Sequence, residues 1–334
     1  MTTGAAPGRV ADRVRTIFFG SGGFAVPILD AVATDPRLQV VGVVTTPDAP
    51  AGRSRQLTPT IVSIRARKLG LRILKPARLR APEAAEVLAN LRPDLGVLAD
   101  YGKIVPRGVL EQPRLGILGV HPSRLPEHRG ATPIPATILA GDPSAGVSIY
   151  RMDDGIDTGP VLATRTWALS GSETAPELEF AAAGRAAKLL VDVLGSYLDG
   201  SAQLIAQGAA QGPPTTRLDR DDARLDPTRS AAALERRVRA YAGWPGTYLD
   251  TVNGRVLVLR ATIARSLPGD VPGRLVDHDA RLAMVTSEGR LVLEAVQPAG
   301  KREMRGEDFR NGYRRLVGTV VRGTDDGGPA TVGE

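Results

Sequence analysis

Along the N-terminal part of the chain, apolar residues fall into short unbroken runs separated by stretches in which they recur every three or four places. VRTIFFG (14–20), LQVVGVVTT (38–46), LRILKP (71–76), DLGVLADY (94–101) and LGILGVHPS (115–123) read as strands. SGGFAVPILDAVATD (21–35), TIVSIRARKLG (60–70, closed by Gly70) and APEAAEVLANLRP (81–93) read as helices. Apolar strands alternating with helices predict βαβ units and a parallel sheet covered on both faces, an α/β fold. PDAPAGRSRQLTP (47–59) reads as a loop. TPIPATILAGD (132–142) reads as a helix, AGVSIYRMDDG (145–155) as a strand and turn, VLATRTWAL (161–169) as a strand, and 174–198 as a long helix.

The pattern then changes. Residues 207–217 (QGAAQGPPTTR) are small, polar and rich in Gly and Pro, which predicts an interdomain linker. Beyond it come one helix, AAALERRVRAY (231–241), and short alternating strands, TYLDTV, RVLVLRATIA, GRLVDH, RLAMVTS and GRLVLEAVQP. Short strands with turn signals between them predict a small β-barrel. The expected organisation is a flexible extension over 1–13, a catalytic domain over 14–206, the linker, a barrel domain over 218–322, and a disordered tail over 323–334. No internal repeat is present.

Composition narrows the classes. The chain has 334 residues, room for about two domains, and 42% hydrophobic and 24% charged residues, which excludes a wholly disordered or fibrous protein. It has no Cys and three His (His121, His128, His278), so thiolate chemistry is excluded and no metal site is expected. No run approaches the ~20 apolar residues of a membrane span. The N-terminus lacks an apolar signal core. The expectation is a soluble cytoplasmic protein without membrane partners. The net charge is +7, and it is clustered: nine basic residues and no acid lie between Arg53 and Arg80. Such a run is either a solvated face or a phosphate-binding surface.

Three local patterns carry candidate chemistry. Gly20-Ser21-Gly22-Gly23-Phe24-Ala25 fits the G-x-G-x-x-A of dinucleotide sites, but Asp48 lies too far along to be the acid such sites place about 20 residues on. A tight strand-to-helix turn needs small residues with or without a nucleotide. The densest polar group is His121-Pro-Ser-Arg-Leu-Pro-Glu-His-Arg-Gly, at the C-terminal end of a predicted strand, where open α/β sheets bind ligands. His121 sits where a catalytic group belongs, and His128 reads as a surface residue. Asp153-Asp154-Gly155-Ile156-Asp157-Thr158-Gly159 is either an acidic surface turn, a metal loop with few other ligands, or the source of a carboxylate, Asp157, that orients His121.

At these residues the chain resembles the methionyl-tRNA formyltransferase family. RTIFFGSGGFAVPILDAV is similar to its opening strand and helix, and TTPDAPAGRSRQLTPTIV to its loop after the second strand. YGKIVPRGVL, HPSRLPEHRGATPI and DDGIDTGPVL resemble the stretches around the formyl-transfer site. AYAGWPGTY and EAVQPAGKREMRGEDFRNGYR resemble its C-terminal domain. The resemblance runs from about residue 14 to about 322. It implies a Rossmann-like formyltransferase domain that binds a folate, then an OB-like barrel that helps hold tRNA. The implied reaction moves a formyl group from 10-formyltetrahydrofolate to the α-amino group of methionine on initiator tRNA, with no metal, by a monomer. Carried onto this sequence, it implies His121 and Asp157 as catalytic residues, Ser123, Arg124, Leu125 and Pro126 as folate contacts, and Arg53, with Arg55, as contacts to the acceptor end of tRNA. Arg236, Arg237, Arg239, Lys301, Arg302 and Arg305 would extend the basic surface across the barrel.

One position departs from the pattern. The family places its catalytic Asn in an Asn-x-His stretch, and the matching residues here are Gly119-Val120-His121. Attack on a formyl carbon develops negative charge on its oxygen, and losing one preorganised donor costs about 2.7–4 kcal/mol. A backbone N–H or an ordered water would have to stand in for the amide. Two other functions therefore remain open at this stage: a formyltransferase-like protein with impaired chemistry that binds tRNA or folate, and an amino-sugar N-formyltransferase.

Overall fold

The computed structural model describes residues 13–51, 56–210 and 212–321. Arg53, Arg55, the expected tail and all but Arg13 of the expected extension lie outside the described residues. By contacts the chain forms two compact units. The first takes residues up to Ala131 with Gly146–Trp167 and Glu179–Pro214. The second takes Thr132–Ala145, Ala168–Leu178 and everything from Thr215.

In chain order the elements begin β1 (Val14–Phe19), α1 (Ala25–Thr34), β2 (Leu38–Val44), β3 (Ala49–Ala51), β4 (Gln56–Thr58), α2 (Ile61–Lys68), β5 (Ile73–Leu74) and α3 (Pro82–Ala89). They continue with β6 (Leu95–Ala99), α4 (Arg107–Leu110), β7 (Ile117–His121), α5 (Pro133–Ala140), β8 (Ser144–Arg151), β9 (Val161–Ala168) and α6 (Ala175–Leu198). The first unit is a seven-stranded sheet in the order β5-β2-β1-β6-β7-β8-β9. β2, β1, β6 and β7 pair in parallel, and β8 returns antiparallel to β7. β6 and β7 lie under cover on both faces, which is why their sequences are unbroken apolar runs. The segment 47–59, expected as a loop, instead carries the antiparallel ribbon of β3 and β4, with Ala49 opposite Thr58. Its strands are too short, and too rich in Pro and polar residues, to show a period of two. The same shortness hides α4.

The glycine loop after β1 is closed around the chain's own carboxylates. Ser21 and Gly22 donate their N–H groups to the Asp100 carbonyl at 2.9 and 3.2 Å. The Asp100 and Glu179 carboxylates both lie near the Phe24 N–H at the start of α1, which acts to lower the pKa of each. A Cβ on Gly22 would fall 1.7 Å from Asp100 Oδ2, so the glycine serves this internal approach. The donors that a pyrophosphate would use are thus already engaged, and the dinucleotide reading has no support here.

The second unit holds α5 and, further along, α7 (Ala231–Ala240), β10 (Thr247–Thr251), β11 (Gly254–Ala264), β12 (Leu275–His278), β13 (Arg281–Val285), β14 (Arg290–Pro298), β15 (Met304–Arg305) and α8 (Gly306–Gly312). Its antiparallel ladder runs β10-β11-β14-β13-β12, with β15 on β14. Register shifts around Arg260 bend β11 against β14, and the sheet wraps one core with Leu234 and Val238 of α7 and Phe309 of α8. The expected barrel is therefore a bent antiparallel sheet whose end strands, β10 and β12, do not pair with each other among the described residues. α5 packs against α7, where Arg236 Nε donates to the Leu139 carbonyl at 3.2 Å, so this unit is not contiguous in sequence.

Desolvation in the crowded glycine loop, followed by the nearby Glu179 carboxylate, pushes the Asp100 carboxyl up to about 7, although the residue keeps an exposed face. The folded state therefore holds the Asp100 proton between its ordinary 3.8 and about 7, and the stability this brings is lost as pH rises through that window. Asp100→Asn is expected to raise Tm by about 2–4 °C at pH 8 and by nothing near pH 4. An equal shift at both pH values in thermal melts would contradict this.

Candidate active site

The C-terminal edge of the first sheet collects the polar groups. β7 ends on His121, which is buried. Its Nε2 lies 3.0 Å from the His128 carbonyl. That carbonyl can only accept, so Nε2 carries the hydrogen. Nδ1 faces Asp157 Oδ2 at 3.6 Å, close enough for charge attraction and too long for a hydrogen bond. His128, read from sequence as a surface residue, is half-buried and serves the site through its backbone.

The three acids of the 153–159 loop divide the work. Asp153 Oδ1 accepts from the Gly155 N–H at 3.1 Å and the Thr158 hydroxyl at 2.6 Å, and so folds the loop. Asp154 is exposed and lies 3.9 Å from Arg107. Asp157, at φ 53°, turns inward. Its Oδ2 accepts from the Gly130 N–H at 2.8 Å and its Oδ1 from the Tyr150 hydroxyl at 2.6 Å. The carboxylate is thus fixed by two donors with His121 beside it. The structure brings Asp157 and His121 together, with 3.6 Å between Oδ2 and Nδ1. Among the described residues no group of three or more His, Asp or Glu is arranged to hold a metal.

The stretch after His121 is a tight turn tied to β8. The Ser148 hydroxyl donates to the Ser123 carbonyl at 2.8 Å and accepts from the Leu125 N–H at 3.1 Å. Ser123 is buried and donates to the Glu127 carbonyl, Arg124 pairs with Glu127 at 2.6 Å, and Leu125 is buried. Of the four residues expected to touch folate, Arg124 and Pro126 are the two that keep partly exposed surface. Ser123 and Leu125 are buried, and the Ser123 carbonyl and the Leu125 N–H are both taken by Ser148.

Two contributors were missed from sequence. Gln207 Nε2 donates to the Asp157 carbonyl at 2.9 Å and the Gly159 carbonyl at 2.7 Å, while Arg129 donates twice to its Oε1. The first residue of the expected linker thus locks the Asp157 loop, and nothing local in a Gly- and Ala-rich stretch signals it. The other is Tyr150, directly opposite Gly119 in the β7–β8 pairing. Its side chain is buried. Burial first, then the Asp157 charge and the hydrogen bond to it, hold its phenol well above the usual range, so it remains a donor.

The basic residues separate likewise. Arg65 pairs with Asp30 and Lys75 with Asp48, while Arg67, Lys68, Arg72, Arg78 and Arg80 are exposed. In the second unit the α7 arginines are half-buried and each has a partner within that unit. Arg239 pairs with Glu235 at 2.7 Å and donates to the Glu173 carbonyl, and Arg237 lies over the Tyr241 ring. Arg236 is held by Leu139. Lys301, Arg302 and Arg305 are exposed.

Comparison with known proteins places the chain in a family. Residues 13–194 match the formyl transferase family model and residues 217–314 the model for the formyl transferase C-terminal domain. The chain is 40% identical over 311 residues to the methionyl-tRNA formyltransferase of Roseiflexus castenholzii, covering 93% of this chain and 99% of that protein. It is 41% identical over 295 residues to that of Chloroflexus aggregans, covering 88% and 95%. Among solved structures, an N-formyltransferase from Helicobacter canadensis in complex with folinic acid and dTDP-3-aminofucose superimposes with a TM-score of 0.63 at 13% identity, over 87% of this chain and all of that one. HypX from Aquifex aeolicus with tetrahydrofolic acid superimposes at 0.58 and 15% identity, over 92% of this chain and 48% of that chain. At such identities these two establish a shared fold.

Proposed function

We propose how one formyl transfer is carried out, for this chain belongs to the methionyl-tRNA formyltransferase family. It moves the formyl group of 10-formyltetrahydrofolate onto the α-amino group of methionine carried by initiator tRNA, the modification used in translation initiation. The amine nitrogen gives its lone pair to the formyl carbon, and the carbonyl π pair moves to oxygen. The amine proton passes to Asp157. The oxygen pair then re-forms the carbonyl as the bond to folate N10 breaks, and N10 takes the proton from Asp157.

The observation that carries this reading is the Asp157 carboxylate, held by Tyr150 and Gly130 and placed 3.6 Å from His121 Nδ1. His121 stabilises the oxyanion through Nδ1–H, the ring nitrogen without a hydrogen bond among the described residues. Asp157 supports the charged form of His121 and relays the proton. Ser123, Arg124, Leu125 and Pro126 contact the folate, with Arg124 and Pro126 keeping partly exposed surface. Arg53 and Arg55 reach tRNA phosphates, with Arg67, Lys68, Arg72, Arg78 and Arg80 adding positive charge along the same sequence run. Among the described residues no helix is long and apolar enough to cross a membrane. Aminoacyl-tRNA as acceptor supports a cytoplasmic enzyme.

Formylation of methionyl initiator tRNA by purified protein tests the assignment. His121→Ala and Asp157→Asn are each expected to lower kcat by 100-fold or more, on the order of the 2.7–4 kcal/mol that a lost transition-state donor removes. Near-normal turnover in either variant would remove its role. For the tRNA surface, the double variant Arg53→Glu/Arg55→Glu is expected to weaken tRNA binding and to flatten its dependence on log salt by about two units of slope. Unchanged affinity with unchanged slope would refute it.

A further inference from the structure

Gly119 stands where the family pattern has its catalytic carboxamide, and the structure accounts for that place. A Cβ built on Gly119 would lie 2.3 Å from Tyr150 Cε1, 2.4 Å from Cζ and 2.7 Å from the hydroxyl oxygen. The phenol therefore fills the volume that a side chain at 119 would need. Only glycine admits it, as at other points where a strand is closely approached. Gly119→Asn alone consequently cannot restore an amide: the new side chain would enter the Tyr150 ring. The hydroxyl is also correctly equipped. It is buried, it stays protonated near neutral pH, and its hydrogen already points into the site, to Asp157 Oδ1 at 2.6 Å.

We propose that the Tyr150 hydroxyl replaces the missing carboxamide as the second oxyanion donor of the formyl-transfer site. The inference rests on the function proposed above. In the resting site the hydroxyl hydrogen is bonded to the Asp157 carboxylate. As the amine attacks, its proton goes to Asp157 and the negative charge appears on the formyl oxygen. The acceptor that held the Tyr150 hydrogen is thereby neutralised while a stronger one forms, and the hydroxyl turns to it. Tyr150 keeps its proton throughout, so no atom or electron is consumed. Gly119 and Tyr150 form one functional unit across two strands, and the chain is complete without the amide.

Four variants test this beside the wild type, with turnover, KM for both substrates and Tm measured on each. Tyr150→Phe keeps the ring and removes the hydroxyl. It is expected to lower kcat about 100-fold while Tm stays within about 3 °C and both KM values within about threefold. Gly119→Asn is expected to lower Tm markedly. Gly119→Asn combined with Tyr150→Val is expected to recover that Tm and to turn over at least tenfold faster than Tyr150→Val alone. Tyr150→Phe within threefold of wild-type turnover would overturn the proposal, because space-filling would then suffice. A double variant no faster than Tyr150→Val would overturn the equivalence of hydroxyl and amide. A wild-type chain that transfers no formyl group would instead overturn the underlying function, and this proposal with it. His121→Ala run in the same assay tells a failed site from a failed Tyr150 role.

Discussion

The antiparallel register of β7 against β8 is the constraint on which the site depends. It sets Gly119 opposite Tyr150 and His121 opposite Ser148. The first pair brings a phenol to the carboxylate. The second supplies the hydroxyl that ties the 123–125 turn to the sheet. A slip of one residue would send each of these side chains to the other face of the sheet and separate all four groups at once. The register is backed by the hydrogen bonds of the Ser148 and Tyr150 hydroxyls, which a slip would break.

Around that register the site is built as nested support. Asp157 is fixed by Tyr150 and Gly130, and its loop is folded from within by Asp153 and held from outside by Gln207 and Arg129. The arrangement leaves one weak contact, between Asp157 and His121 Nδ1. A reacting centre needs such a gap. In the proposed transfer a fully bonded imidazole would have to break a hydrogen bond to reach the developing oxyanion, whereas His121 has one, to His128, among the described residues.

Much of this was legible in the sequence, for identifiable reasons. Parallel strands buried on both faces produce apolar runs, so β1, β2, β6 and β7 stand out, and the family motifs carry His121 and Asp157 directly. The β3–β4 ribbon, α4 and α8 were not legible, because short or polar elements leave no period to read. Tyr150 and Gln207 were hidden for a different reason. Tyr150 looks like one more apolar strand residue until its cross-strand partner is known, and Gln207 acts on residues about 50 positions away. Gly119, read alone, suggested a damaged site. The Tyr150 ring occupies the volume that a side chain there would need, and the proposed role of its hydroxyl rests on that. Composition gave no sign of the partners that Arg236, Arg237 and Arg239 have within the second unit.

The central claim is that His121 and Asp157 act as one device on one transition state. A double-mutant cycle on single-turnover formyl transfer tests it most directly. Groups that act as a unit are strongly non-additive, so His121→Ala/Asp157→Asn together should be no more than a few-fold slower than the worse single variant. Losses that multiply, with the double variant slower by the product of the two single effects, would mean that the residues act independently and would contradict the account.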